Sequence, residues 1–295
     1  MRKDVLRKDV LQNVSFSKDV WSNVSKTIKM KIKQITNYLE QLAPLEDAEN
    51  FDNVGLLVGD NQTEVTNILV TLDTLEITID EAIEKNCNLV VSFHPIIFSG
   101  LKHLNGSNYV ERVAIKAIQN NIAIYAMHTA LDNSFDGVSA KMCEVLGLVN
   151  RQFLIPNATK NIGMGMVAEL PSALSEKDFL ALLKVKFKAN GIRFSSLLNK
   201  KIKKVAVLGG SGAFAIDDAK KIGAAAYVSS DFKYHDFFKA EKDILLVDIG
   251  HYESEQFTKN LLVDYLNKKI SNFAPALNKS NIFLSENNTN PINYL

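Results

Sequence analysis

Asn67-Ile68-Leu69-Val70-Thr71-Leu72-Asp73 is a β-branched apolar run of strand length, and Ile77 to Lys85 behind it reads as a helix. Leu89-Val90-Val91-Ser92-Phe93-His94 repeats the strand and is stopped by Pro95. Tyr109 to Asn120 then puts Val110, Val113, Ala114 and Ala117 on one helical face. Ile122-Ala123-Ile124-Tyr125-Ala126-Met127 is the next strand and Gly137 to Leu146 the next helix. Near-continuous apolar strands joined by helical crossovers predict an α/β fold with a largely parallel sheet covered on both faces.

Upstream, Ile32, Ile35, Leu39 and Leu42 recur at helical spacing before Pro44, and Met30 opens this pattern. Downstream, the pattern changes at 147–161 and then resumes. Ser175 with Asp178 three residues on caps a helix. Strand Val205–Leu208, helix Ala213–Ile222, strand Ala225–Ser229, helix Lys233–Glu241, strand Ile244–Ile249 and helix Glu253–Leu266 follow. Ile282-Phe283-Leu284 is a last short strand. These elements predict two α/β lobes, over 30–150 and 160–295. Residues 1–29, with seven basic and three acidic side chains, an immediate repeat of Arg-Lys-Asp-Val-Leu and the one tryptophan, Trp21, read as a poorly ordered extension.

Composition narrows the function classes. The chain has 295 residues and a formal net charge of +1, so nothing pulls it generally toward nucleic acid or an anionic membrane. No apolar run reaches the ~18–20 residues of a membrane span. The amino terminus lacks the apolar core of a secretory signal. Two cysteines, Cys87 and Cys143, cannot build a disulfide framework and fit a reducing compartment, which points to the cytoplasm. Lys200-Lys201-Ile202-Lys203-Lys204 reads as a solvated loop.

The five histidines are more informative. His94 stands at the carboxyl end of one strand, His128 directly after another with Asp132 four residues on, and His251 after a third through Gly250. In α/β sheets the crevice beyond the strand carboxyl ends is where ligands bind. His251 and Glu255, at i and i+4, share one face of a first helical turn. An imidazole and a carboxylate so placed make a half-site for Zn²⁺, Mn²⁺ or Fe²⁺. Glu253 points elsewhere and suits a helix amino terminus.

Three segments, Ser92-Phe93-His94-Pro95-Ile96-Ile97-Phe98, His128-Thr129-Ala130-Leu131-Asp132 and Gly250-His251-Tyr252-Glu253-Ser254-Glu255, resemble signatures of the dinuclear-metal proteins known as GTP cyclohydrolase 1 type 2 homologues, or the interacting-factor-3-like family. Asp52-Asn53-Val54-Gly55-Leu56-Leu57-Val58-Gly59 and the Asn288–Pro291 ending match as well, so the resemblance runs from Met30 to the carboxyl terminus. It implies one intertwined two-lobed domain over 30–295, a homohexamer, and a one- or two-metal site in the cleft between lobes. His94, Asp132, His251 and Glu255 match the family's metal ligands, with Glu255 as the bridge. His128 matches a residue that supports the site or carries a proton in catalysis. Many members have two adjacent histidines where this chain has Phe93-His94, so one ion loses a ligand here. The short join over 156–161 leaves no room for the extra module of longer members.

Smaller candidates complete the reading. Val207-Leu208-Gly209-Gly210-Ser211-Gly212 is a tight turn lining the crevice rather than a full phosphate-binding loop. Asp231 to Asp236 is placed to support the site or to bind substrate, and Asp73 to line the crevice. His103, between Gly100 and Gly106, reads as a surface-loop residue. The function expected is a metal-dependent hydrolase acting on a small molecule such as a nucleotide or a phosphoester. The alternative is a metal-binding, metal-trafficking or partner-binding protein without turnover.

Overall fold

Apolar runs of strand length become buried strands wherever helices cover both faces, and in this computed structural model, which describes residues 30–273 and 281–295, they sort into two sheets. The extension expected over 1–29 lies outside the described residues. In chain order the first elements are α1 (Ile32–Leu42), β1 (Gly55–Val58), β2 (Ile68–Thr71), α2 (Glu76–Glu84), β3 (Leu89–Ser92), α3 (Tyr109–Gln119), β4 (Ala123–Ala126), α4 (His128–Asp132) and α5 (Val138–Leu146). Then come β5 (Val149–Pro156), β6 (Gly163–Ser175), α6 (Glu176–Lys186), β7 (Arg193–Phe194), β8 (Lys201–Ser211), α7 (Ile216–Lys221) and β9 (Ala226–Ser230). β10 (Leu245–Asp248), α8 (His251–Glu255), α9 (Thr258–Phe273) and β11 (Ile282–Leu284) complete them.

The first sheet runs β1-β4-β3-β2-β11, parallel throughout except for the antiparallel edge strand β1. Ile68, Val70, Leu89 and Val91 face α1 and α9, meeting Ile35, Leu39, Leu262 and Leu266. Their neighbours Leu69, Val90 and Ile124 face α2 and α3, meeting Ile79, Ala82, Val113 and Ala117. This period-two alternation between two buried faces is why the strands read as unbroken apolar runs.

The second sheet runs β5-β6-β8-β9-β10-β7, with β8, β9 and β10 parallel and antiparallel strands on both margins. Val205, Val207, Val228 and Val247 pack on α5 and α6, through Met142, Leu146, Phe179 and Leu183. The opposite face carries Ala206, Tyr227 and Leu246 against Ile216 and Ala219 of α7.

Elements cross between the lobes. α9 and β11, late in the chain, complete the first sheet and its core, whereas α5 and β5, early in the chain, belong to the second. Some local expectations are corrected. Lys201–Lys204 lies within β8 rather than in a loop, because the long lysine stems run along the sheet while Lys203 and Lys204 donate to the carbonyls of Pro171 and Ile222. Lys233–Glu241 is a 3₁₀ turn over Tyr234–Ala240 rather than an α-helix. The helix expected over Glu253–Leu266 is two helices, α8 and α9, separated at 256–257. Cys87 and Cys143 are free and buried, and burial pushes both thiols up to about 12. Among the described residues no helix is long and apolar enough to cross a membrane.

Candidate metal centre

Each histidine of the site is presented by a strand that has just ended. β3 delivers Phe93 and His94, β4 delivers His128, and β10 delivers His251 through Gly250. Gly250 has φ +94°, and a Cβ there would collide with the Glu253 carboxylate at 2.2 Å. The chain can therefore turn straight from strand into α8 only with glycine at this position. His128 enters α4 at φ 28°, a sparsely populated conformation for a bulky residue, held by its N–H donating to the Phe93 carbonyl at 2.9 Å.

Two lobes meet at one carboxylate. His94 Nε2 and His251 Nε2 each lie 3.1 Å from Glu255 Oε2. Neither contact has the alignment of a hydrogen bond, and Glu255 Oε2 is buried without a donor. The opposite ring nitrogens are fully engaged. His94 Nδ1 is 2.7 Å from Asp73 Oδ1 and His251 Nδ1 is 2.7 Å from Asp231 Oδ2. An ionised carboxylate only accepts, so each Nδ1 carries a proton, and a cation that displaced the proton of each Nε2 would find its lone pair beside Glu255. His128 repeats the device, with Nδ1 2.8 Å from Asp52 Oδ1 while Thr129 N–H and Oγ1 donate to Asp52 Oδ2.

Further contacts fix these carboxylates. Thr289 Oγ1 donates to Asp73 Oδ2 at 2.5 Å, and Ser211 Oγ donates to Asp231. Buried Asp248 accepts from Phe232 N–H and from Gly250 N–H, both at 3.0 Å, and pairs with Arg193. It thus ties the backbone just after Asp231 to the backbone just before His251. Gly209 and Gly210 let the end of β8 approach α8. A Cβ on Gly210, at φ +68°, would meet Glu255 Oε1 at 2.4 Å, and its N–H donates to Ser254 Oγ. The glycine turn shapes the Glu255 pocket, and the Gly210 N–H is already committed.

The electrostatics follow from this geometry. Burial works against charge on His94 and His251, but Asp73, Asp231 and Glu255 outweigh it and hold them up at about 10 and about 11. Burial likewise opposes the ionised Glu255, yet the two imidazoles hold it down at about 2. Asp52 is also held at about 2, against burial, by His128 and Thr129. Asp132 goes the other way. Burial, and then the Glu255 charge, raise it well above the ordinary carboxylate range.

His94, His251 and Glu255 form a group whose ligand atoms all lie within 4.8 Å of one another. Asp132 and His128 line the same cavity, of about 240 Å³, as His251 and Glu255, but stand outside that group. Phe93 is fully buried, its ring 4.8 Å from His94 and 5.6 Å from His128. Glu253 is buried under the tail, accepting from Asn290. His103 is exposed in its loop. The residues fit a divalent cation on three counts: an unpartnered buried carboxylate oxygen, two imidazole nitrogens beside it, and carboxylates fixing the far side of each ring, the usual support of metal-binding histidines. Spacing alone does not single out the roles of Asp52, Thr289 and Asp248, because Thr129 lies 77 residues from Asp52, Asp73 lies 216 from Thr289 and Arg193 lies 55 from Asp248.

The chain is similar to known proteins over most of its length. A family model described as Duf34/NIF3 (NGG1p interacting factor 3) matches residues 30–291. The chain is 34% identical over 276 residues to a GTP cyclohydrolase 1 type 2 homolog of Clostridium acetobutylicum, covering 90% of this chain and all of that protein. A Campylobacter jejuni protein of the same name is 33% identical over 234 residues, 79% of this chain and 90% of its own. Among solved structures, the Staphylococcus aureus hypothetical protein SA1388 superposes with a TM-score of 0.82 at 31% identity, covering 90% and 100% of the two chains. Reduced HcgD from Methanocaldococcus jannaschii gives 0.67 at 25% identity, covering 88% and 100%.

Proposed function

The chain belongs to the Duf34/NIF3 family, and on that footing we propose a metal-dependent hydrolase that activates water on a nucleotide or phosphoester. One observation carries this reading: Nε2 atoms from opposite lobes flank a single buried, donor-free oxygen of Glu255. A divalent cation, whether Zn²⁺, Mn²⁺ or Fe²⁺, supplies charge there that lowers the pKa of water from ~15.7 toward ~7. His94, His251 and Glu255 would hold it. Asp132, across the same cavity, extends the donor set toward a second ion. His128 donates its Nδ1 proton to Asp52, which leaves Nε2 to take up or return a proton in the cavity. The name of the curated relatives suggests attack on the purine ring of GTP.

A homohexamer, a cytoplasmic location and exclusion of nucleic acid belong to the same proposal, the first being testable by light scattering. A second reading, a metal-binding or metal-trafficking protein without turnover, is favoured by Phe93. Its buried ring occupies the position beside His94 and adds no ligand to the three that converge.

Elemental analysis of the purified chain, followed by turnover of GTP and p-nitrophenyl phosphate, tests both. The hydrolase reading expects bound cation and hydrolysis, with both lost in Glu255→Ala. Bound cation that passes to an apo-acceptor, with no turnover, supports the second reading. A chain that binds no divalent cation overturns both.

A further inference from the structure

Most hydroxyls around this centre are already committed. Thr129 Oγ1 donates to Asp52, Ser211 Oγ to Asp231 and Ser254 Oγ to the His251 carbonyl. Ser229 and Ser230, one strand further, both donate to the Gly210 carbonyl. Ser139 differs. It stands in the first turn of α5, only 4% exposed, and lines the cavity that holds His128, Asp132, His251 and Glu255. Among the described residues its hydroxyl has no hydrogen-bond partner, yet Oγ is not sealed off as Glu255 Oε2 is. The little surface that Ser139 keeps therefore includes this oxygen, and it opens on the cavity. A hydroxyl so deeply buried is costly to leave unpaired unless something enters to pair with it.

The backbone beside it is uncommitted too. Gly137 stands at the N-cap of α5 and supplies no side-chain cap, and its carbonyl accepts the first bond of the helix from Lys141 N–H at 3.0 Å. Among the described residues the N–H groups of Val138, Ser139 and Ala140 have no acceptor, as the first turn of a helix leaves them. Those donors, with the partial positive charge of a helix amino end, favour an anion. Packing brings this end to the metal centre. A Cβ on Gly209 would lie 2.5 Å from Val138 Cγ1 and 3.4 Å from Glu255 Cγ, so the start of α5 and the shared carboxylate close on one glycine.

We propose that Ser139 and the amino end of α5 form an oxyanion subsite, which takes the anionic oxygens of a substrate's phosphoryl group at the wall of this cavity. The proposal rests on the hydrolase reading and adds to it the residue that would seat the substrate. The Ser139 hydroxyl donates one hydrogen bond, the first-turn N–H groups reinforce it, and an anionic oxygen is the acceptor that both lack. Because Asp132 and Glu255 line the same cavity, an anion is held there by donors aimed at its oxygens rather than by a general excess of positive charge.

The test is calorimetric titration of the full chain, cation-loaded and stripped, with inorganic phosphate and with phenylphosphonate, whose carbon–phosphorus bond resists hydrolysis. Cation content and Tm are measured alongside. The loaded chain is expected to bind both anions. Ser139→Ala should weaken both roughly ten- to a hundredfold with cation content and Tm unchanged, and Ser139→Thr, which keeps the hydroxyl, should recover binding. Wild-type affinity in Ser139→Ala overturns the proposal, as does failure of both forms of the chain to bind phosphate. Binding of phosphate with phenylphosphonate excluded makes this a site for the free ion and overturns it as a substrate subsite. Loss of cation together with affinity in Ser139→Ala overturns it as well, by placing Ser139 in the cation site. A chain that retains no cation defeats the hydrolase reading alone, because comparison of that chain with Ser139→Ala still decides whether the hydroxyl receives the anion.

Discussion

The Asp73–His94 pair and the Asp231–His251 pair present the same face to Glu255, with 2.7 Å on the aspartate side and 3.1 Å on the glutamate side of each ring. Their supports differ. Around His251 everything is local to the second sheet: Asp248 of β10 gathers the backbone on both sides of the pair, and Arg193 from the neighbouring strand β7 closes over it. Around His94 the support is borrowed. Asp73 is held by Thr289, 216 residues away, on a tail that is itself fastened by Glu81 of α2 through Ser285, Glu286 and Asn287. One arm of the site is thus a property of its own sheet, and the other depends on where the end of the chain is tied.

The largest effect should fall on what the arms share. Glu255→Gln removes the charge common to both, and elemental analysis is expected to find no retained cation. Retention at wild-type level would mean that the arms bind independently of Glu255. Next comes pH. At neutral pH without cation both imidazoles are charged, because their carboxylate partners overcome burial and hold them at about 10 and about 11. Binding must displace two protons, so affinity measured against a competing chelator should rise about a hundredfold per pH unit between pH 6 and 8. A tenfold slope would show that only one arm engages. For the fold the sign is opposite. Raised pKa values stabilise the cation-free chain fully below the ordinary 6.5, and that stability is lost as pH climbs through about 10 and about 11. The Tm of stripped protein should therefore fall toward alkaline pH.

Smaller changes separate the supports. Asp248→Asn keeps one acceptor and sets an amide against a backbone donor, so cation affinity should drop ~10–100-fold and Tm should fall with it. Thr289→Val removes one hydrogen bond to Asp73 and should cost about tenfold in affinity with Tm nearly unchanged, while Thr289→Ser restores binding. Equal effects of Asp248→Asn and Thr289→Val on Tm would erase the distinction between a local and a borrowed arm.

Much of this was legible from residues alone. β-Branched runs located the central strands of both sheets, and strand-end histidines located the crevice, because burial and chain direction are local properties of sequence. Asp73 and Asp231 stood out by the same logic. The hairpin β5–β6 did not, since a half-exposed sheet margin rich in polar and glycine residues lacks a clean period. Nor did the destination of Ile282–Leu284, because a short apolar strand does not announce which sheet it will join. Asp52 and Thr289 lie in segments that carry the family resemblance, but their partners stayed hidden, because a hydrogen bond across 77 or 216 residues leaves no trace in spacing.

The route of the chain has a mechanical consequence. It leaves the first sheet near 133–137, returns at 256–257, and reaches across again in the tail, where Asn290 grips Glu253. Bodies stitched together by several separate threads have no single pivot, so the cleft cannot swing open as a jaw does. Visitors must enter and leave by side-chain movement at its mouth, and heating should dissolve both lobes in one step.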